Sequence, residues 1–276
     1  MKEPPPWVEN RAPEGPLSLL SLEELWRYRE LGLVLAARDL KVLYKQTLLG
    51  AAWVVLQPLL AAVIFTIVFG RLAGLPSDGV PYAVFVFSGL VLWMFFSGTL
   101  TSVAQSLVEN RDLVTKTYFP ALVVPIALSL PGLVDLAFSL VVLGVVMAVY
   151  GVVPGAALAL LPVWVLACLL VVLAAGLPLA ALNVKYRDVR YTLGFLVQVL
   201  LFASPVVYAS SLVEGGWRYV YALNPMVGVL DGFRWSTVGG PAPGPQAIVS
   251  LAVVVVGLVA GVIVFLRADR HFADLI

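Results

Sequence analysis

Six stretches of the chain carry no charged residue: Leu48–Phe69, Pro81–Val108, Thr117–Val134, Leu136–Val184, Tyr191–Val213 and Trp235–Leu266. A helix needs about 20 apolar residues at ~1.5 Å each to cross a hydrocarbon core of about 30 Å. Five of the six runs exceed that length, and Thr117–Val134 falls just short of it. Soluble domains carry about 25% charged residues, whereas this chain of 276 carries 12% and is 61% hydrophobic. No water-soluble fold of this size hides so much apolar surface, so the chain reads as an all-α integral membrane protein.

The run 136–184 is too long for one crossing, and Tyr150-Gly151-Val152-Val153-Pro154-Gly155 inside it reads as a tight turn. Six crossings result, near 48–70, 82–107, 123–150, 156–182, 191–210 and 246–266, within a transmembrane domain spanning 46–276. Lysine and arginine set their orientation. The segment before the first crossing and every second loop after it hold fourteen of the seventeen basic residues, and the alternate loops hold three. The basic side is cytoplasmic, which puts both termini inside. "LNVKYRDVRY" (182–191) then sits in a cytoplasmic turn, where Lys185, Arg187, Asp188 and Arg190 fix topology. The opening "MKEPPPWVENRAPEGP" lacks the basic start and immediate apolar core of a signal peptide. Residues 1–20 read as an extended cytoplasmic arm.

Several pieces are not plain crossings. Residues 21–45 have helical spacing but too much charge to cross. Ser21 with Glu24 fits a capping box and Leu20 with Leu25 a hydrophobic staple. Leu22, Trp26, Leu33, Ala37, Leu40 and Tyr44 fall near one face and Arg38, Lys41 and Lys45 on another, the pattern of an amphipathic interfacial helix. An ordinary soluble helix is the other reading. "ENRDLVTKTYFP" (109–120) is a cytoplasmic loop with room for a short helix before Pro120. The outer segment 211–245 is too aromatic to sit free in water, and it reads as re-entrant helices broken at Asn224-Pro225. Asp135 is the one charge inside a crossing, and its insertion cost of about 2.5–3.5 kcal/mol implies a protein-facing or water-facing role. Helix packing and pore lining are both open to it, with Pro131-Gly132 loosening the helix just before. Gln57-Pro58 mark a kink with a polar contact in the first crossing. Cys168 lies in an apolar run and reads as a small buried hydrophobe. His271 has no cysteine or second histidine near it, so no metal-ligand spacing arises.

The ordered pieces resemble a known family. "YKQTLLGAAWVVLQPLL" (44–60), "ENRDLVTKTYFP" followed by "VVP", "LNVKYRDVRY", "SPVVY" (204–208), "LNPMVGVLDGFRW" (223–235) and the tail "FLRADRHFADLI" are together similar to the membrane subunit of type-2 ABC exporters for O-antigen, capsule and teichoic-acid polysaccharides. The likeness runs nearly end to end and leaves out the first twenty residues. It implies an inner-membrane permease of a bacterium that pairs as a homodimer and docks two copies of a separate ATPase. It also implies that 109–119 is a coupling helix seated on that ATPase, with Glu109, Asn110, Arg111, Asp112 and Lys116 beside Lys185, Arg187, Asp188 and Arg190 of the next cytoplasmic turn.

No GxxxxGK[ST] phosphate loop occurs, so ATP and magnesium are expected on the partner and no cofactor in this chain. A sugar polymer needs a conduit that binds weakly everywhere. Aromatic faces suit that, which makes Tyr82, Phe85, Phe87, Trp93, Phe95, Phe96, Phe202, Tyr208, Trp217 and Tyr221 candidate lining residues, against core packing and interfacial belts as the alternative. Gln57 and Asp135 are the candidate intramembrane polar sites. Two rival functions remain: a type-2 exporter of drugs or small lipids, and an ion-coupled secondary transporter. The second ordinarily carries several intramembrane acids or paired repeats, and here Asp135 stands alone with no internal repeat.

Overall fold

The computed structural model describes residues 22–45, 51–117, 119–186 and 188–269. Every regular element among them is helical. The segment before the first crossing forms α1 (Leu22–Arg27) and α2 (Arg29–Lys45). Ser21 and Leu20, and with them the expected capping box and staple, lie outside the described residues. Gly32, Leu35 and Ala36 face the protein, while Trp26 and Leu33 on the apolar face expected from spacing stay exposed.

Helix α3 (Ala51–Phe65) passes through Pro58 and widens into a π-helical stretch, Thr66–Leu72. Then come α4 (Tyr82–Glu109), α5 (Arg111–Lys116), α6 (Val123–Ser129) and α7 (Pro131–Val149). The expected loosening at Pro131-Gly132 is seen as the boundary between α6 and α7. The turn expected at 150–155 is present, with Gly151 at φ 71°, a left-handed conformation that costs glycine nothing. A 3₁₀ turn, Ala156–Leu160, leads into α8 (Leu161–Lys185), followed by α9 (Val189–Ala203). On the far side are α10 (Trp217–Tyr221), α11 (Pro225–Val238) and α12 (Gln246–Asp269).

Among the described residues five helical stretches are long and apolar enough to cross a membrane: Val55–Leu72, Tyr82–Glu109, Val123–Val149, Ala156–Lys185 and Gln246–Asp269. The sixth expected crossing, 191–210, is shorter. Helix α9 holds 15 residues, about 22 Å at ~1.5 Å each, against a core of about 30 Å. It stops where Ser204 turns extended (φ −115°, ψ 152°), because the ring of Pro205 excludes helical geometry from the residue before it. The break expected at Asn224-Pro225 separates α10 from α11. There the Asn224 side chain accepts from the Met226 amide at 3.0 Å, and Pro225 fills the first helical position, where no amide is needed.

Helix α4 is the axle of the bundle. It packs against α3, α6, α7, α8, α9 and α11. In its most apolar stretch 78% of residues are buried, against 11–28% in the other four long helices. Close approach elsewhere depends on missing side chains. Pro178 in α8 has no amide to give the Ala174 carbonyl one turn back, and α12 passes over that carbonyl at Gly261. A methyl on Gly261 would stand 2.6 Å from the Ala174 oxygen, which is backbone and cannot swing aside. Gly261→Ala should therefore lower the thermal midpoint of the detergent-solubilised protein, by a stability loss of about 1–3 kcal/mol. Gly144→Ala, where a methyl meets nothing within 4 Å, should lower it not at all.

Candidate functional site

Three polar constructions interrupt the apolar bundle. The first is the elbow at the end of α4, where Asn110 (φ −107°, ψ 28°) ends one helix and starts α5. Its amide group is buried and bonded through both its nitrogen and its oxygen. Nδ2 donates to the Ser106 carbonyl at 2.9 Å, and Oδ1 accepts from Arg38 Nη2 of α2 at 2.6 Å. Arg38 is held in turn by Asp39 at 2.9 Å. Nearby, Asn183 of α8 donates to the Ala104 carbonyl at 3.0 Å. A helix end that would otherwise fray is thus pinned to two neighbouring elements. Helix α5 itself stands out from the bundle, with Arg111, Asp112 and Lys116 exposed and an Asp112–Lys116 pair at 3.2 Å. In such exposure the pair contributes little to stability and leaves the helix free for a partner.

The turn at 183–190, expected to act with this elbow, comes within electrostatic reach of it. The charges of Arg190 and Asp39 both act on Glu109. Lys185 sits over the Tyr186 ring at 5.2 Å, and Asp188 caps α9 through its backbone carbonyl, accepting from Thr192 at 3.0 Å. Arg187 lies outside the described residues.

The second construction is a groove of about 500 Å³ halfway along the bundle, between α3, α4, α7 and α9. It unites Gln57 and Asp135, the two intramembrane polar residues singled out from sequence. It adds Ser97, Thr101 and Ser102 of α4, which sequence reasoning passed over. Their signal was present as three hydroxyl residues, successively four and one apart, within one chargeless run.

The third lies at the opposite end of α4 from the elbow. Arg234 of α11 is 4% exposed, yet no carboxylate pairs with its guanidinium among the described residues. Instead Nη1 and Nη2 donate to the Pro205 and Val206 carbonyls at 2.5 and 2.6 Å, and the group lies 3.7 Å over the Phe85 ring. Asp231, one turn before it, accepts from Ser210 at 2.6 Å. Tyr82 donates to the Val207 carbonyl, Asn224 to Ala203 and Ser204, and Tyr208 meets Tyr221 at 2.8 Å. Ser250 of α12 donates to Ala222 and accepts from the Gly228 amide, which α11's own first turn leaves without a partner. The non-helical stretch 204–209 is hydrogen-bonded from all sides, as backbone removed from water must be.

The candidate lining aromatics divide sharply. Phe85, Phe87, Trp93, Phe95 and Phe96 are buried among the chain's own helices. Tyr82, Tyr208 and Tyr221 are half-buried in the hydrogen bonds just described, and Phe202 and Trp217 are exposed. The buried set are core residues because α4 is enclosed along that whole half, which residue type alone does not disclose.

The profile of the ABC-2 type transporter family matches residues 30–238, a span that contains the elbow, the groove and the Arg234 cluster. The chain belongs to that family. As an ABC-2 membrane permease it is a non-catalytic, multi-pass transport subunit of the kind that works with an ABC ATPase. It is similar to a Myxococcus xanthus protein named O-antigen export system permease protein RfbA, 33% identical over 256 residues, which is 92% of this chain and 98% of that one. A Klebsiella pneumoniae protein of the same name is 23% identical over 248 residues, 90% of this chain and 95% of that one.

The permease's Arg234 fork carries a direct prediction. Arg234→Ala leaves two buried carbonyls without donors, a cost of about 1–3 kcal/mol for each. Amide hydrogen exchange in residues 204–212 should accelerate strongly. Arg234→Lys should rescue little, since an ammonium cannot bridge two acceptors as a planar fork does.

Proposed function

We propose that this permease exports a lipid-linked polysaccharide of the O-antigen type across a bacterial inner membrane. The observation that carries the proposal is the alignment with a named O-antigen export permease at 33% identity over 98% of that protein's length. In this reading two copies form the conduit, two copies of a separate ABC ATPase drive it, and ATP and magnesium stay on those partners. Helix α9 serves as a fifth crossing completed by the folded stretch after Ser204. Helices α10 and α11 are re-entrant from the outer face, and both termini are cytoplasmic. Helices α1 and α2 lie at the cytoplasmic interface, with exposed Trp26 of α1 and Leu33 of α2 turned to lipid.

The geometry gives the coupling step a mechanical basis. A partner closing on α5 pushes on Asn110, whose side chain ties α4 to α2 through Arg38. Because α4 is continuous from Tyr82 to Glu109, a displacement at the elbow travels as a rigid-body shift toward the Arg234 cluster. The exposed charges Arg111, Asp112 and Lys116, with Lys185, Arg187, Asp188 and Arg190 from the neighbouring turn, form the contact set. A drug or small-lipid exporter shares this machinery, and glycan export by the reconstituted complex separates the two.

Arg111→Glu and Arg187→Glu should each lower ATP-driven glycan export about tenfold or more, the effect of ~1.4 kcal/mol of lost or opposed contact. Co-purification of the permease with its ATPase should persist. Unchanged export in both variants would remove the coupling assignment.

A further inference from the structure

Beyond Pro58, helix α3 carries a stripe of Leu59, Ala62, Val63, Thr66 and Ile67, at the three- and four-residue spacing of one helix face. In an unbroken α-helix the next member would be Gly70. The stretch Thr66–Leu72 is π-helical instead, with the Ala73 amide reaching back five residues to the Val68 carbonyl at 3.0 Å. This wider turn brings Arg71 into the stripe in place of Gly70. Gly70 packs against Tyr82, where a methyl would stand 2.6 Å from the ring. Phe87 of α4, with Val146 and Tyr150 of α7, completes a groove of about 340 Å³, and exposed Val63 and Ile67 leave one flank of it open.

The groove is graded in polarity. Arg71 and Tyr150 stand at its rim, on the side of the bundle opposite the elbow, and the rest of its lining is apolar except for Thr66. From Leu59 to Arg71 it runs about 18 Å at ~1.5 Å per residue, close to one leaflet of a hydrocarbon core of about 30 Å. Arg71 is the one basic residue between Lys45 and Arg111, and among the described residues it has no ion pair or hydrogen bond. Asp78, the one acid of the same loop, accepts from Ser211 at 2.7 Å instead. Thr66 Oγ1 is buried and also lacks a partner. Snorkelling toward water would satisfy Arg71, yet it leaves Thr66 and the apolar groove without a neighbour.

We infer that this groove is a binding site for one anionic phospholipid of the outer leaflet, phosphatidylglycerol, with an acyl chain along the α3 stripe and the phosphate on Arg71. A guanidinium fork meets two phosphate oxygens at once. Tyr150 sits at headgroup level, where amphipathic rings collect. Thr66, one π-turn deeper, is placed to donate to an ester carbonyl of the glycerol backbone. A headgroup that carries its own ammonium fits less well, because no carboxylate lines the groove to receive it. The lipid supplies packing that the chain itself does not give α3, since only 11% of Val55–Leu72 is buried. The site is separate from the groove at Gln57 and Asp135. It is independent of the cargo and requires only that the elbow be cytoplasmic.

The test uses the full complex with its ATPase in phosphatidylcholine nanodiscs. The probe is phosphatidylglycerol with a diazirine in its acyl chain, compared with phosphatidylethanolamine carrying the same diazirine, and cross-linked peptides are mapped by mass spectrometry. Phosphatidylglycerol should label residues 59–71 and 146–150 severalfold more than phosphatidylethanolamine. Arg71→Ala should lower that labelling about tenfold or more, the scale of a lost charge-assisted contact. Arg71→Lys should lower it less, because an ammonium still meets phosphate as a point charge. Val63→Trp should abolish it by filling the groove from the open flank. Arg218→Ala, at an exposed arginine outside the groove, should leave it unchanged.

Equal labelling by the two lipids, or labelling that Arg71→Ala leaves unchanged in a complex that still holds its ATPase, would overturn the site. Displacement of the probe by a lipid-linked glycan but not by unlabelled phosphatidylglycerol would make the groove a berth for cargo and overturn it too. Disulfides between Val63→Cys of two copies in a Cys168→Ala background, with no lipid labelling, would place a second protomer over the groove and equally overturn it. Glycan export is measured separately on the same complexes, so failure of the lipid site leaves the export reading standing.

Discussion

A helix in lipid gains nothing from being apolar, because its surroundings are as apolar as its neighbours. What holds α4 at the centre of this bundle is close packing and a few buried hydrogen bonds. Gly132 of α7 fits against Thr99 and Phe95, and Gly176 of α8 against Val103. Gly89 of α4 itself makes room for the Arg234 guanidinium and the Val206 carbonyl. At each of these points a methyl group would collide. The central helix is thus enclosed by neighbours that approach to backbone distance, and one stripe alone is left open.

The two ends of α4 are fixed in different ways. At Asn110 a neutral amide joins three segments through short bonds, and the next helix projects with its charges exposed. Near Phe85 a buried arginine is held by backbone carbonyls and an aromatic face. Arginine tolerates this position because its charge is delocalised and weakly hydrated, and its planar fork matches paired acceptors. Backbone carbonyls in a non-helical stretch are partners that a bilayer cannot supply from water. The folded segment 204–209 and Arg234 therefore require one another, and neither is stable at that place alone.

Much of this was legible from residue patterns. Chargeless runs located the long helices, Tyr150–Gly155 located a turn, and Pro131 and Asn224-Pro225 located breaks. Pro205, which ends α9, was passed over because the apolar run continues to Val213. Facing was not legible. Valine, leucine and phenylalanine serve equally well against lipid, against a second protomer or in a core, so their pattern carries no direction in a helix apolar all round. Phe87 and Trp93 are core residues for reasons that lie in α7, α8 and α11. Polar residues do carry direction in lipid, and Ser97, Thr101, Gln57 and Asp135 converge on one groove from three helices. The partners of Arg234 could not be read from sequence, because backbone carbonyls belong to every residue.

In the account assembled from these features the chain is a passive track. Its sequence holds no GxxxxGK[ST] loop, and in the proposed reading its charged elbow meets the partner that supplies the force. Reconstitution into sealed liposomes measures that directly, with lipid-linked glycan loaded on one face and the permease present with or without its ATPase. The account predicts glycan transfer only when the ATPase and hydrolysable ATP are both present, with no response to an imposed proton or sodium gradient. Transfer by the permease alone, driven by an ion gradient, would contradict it.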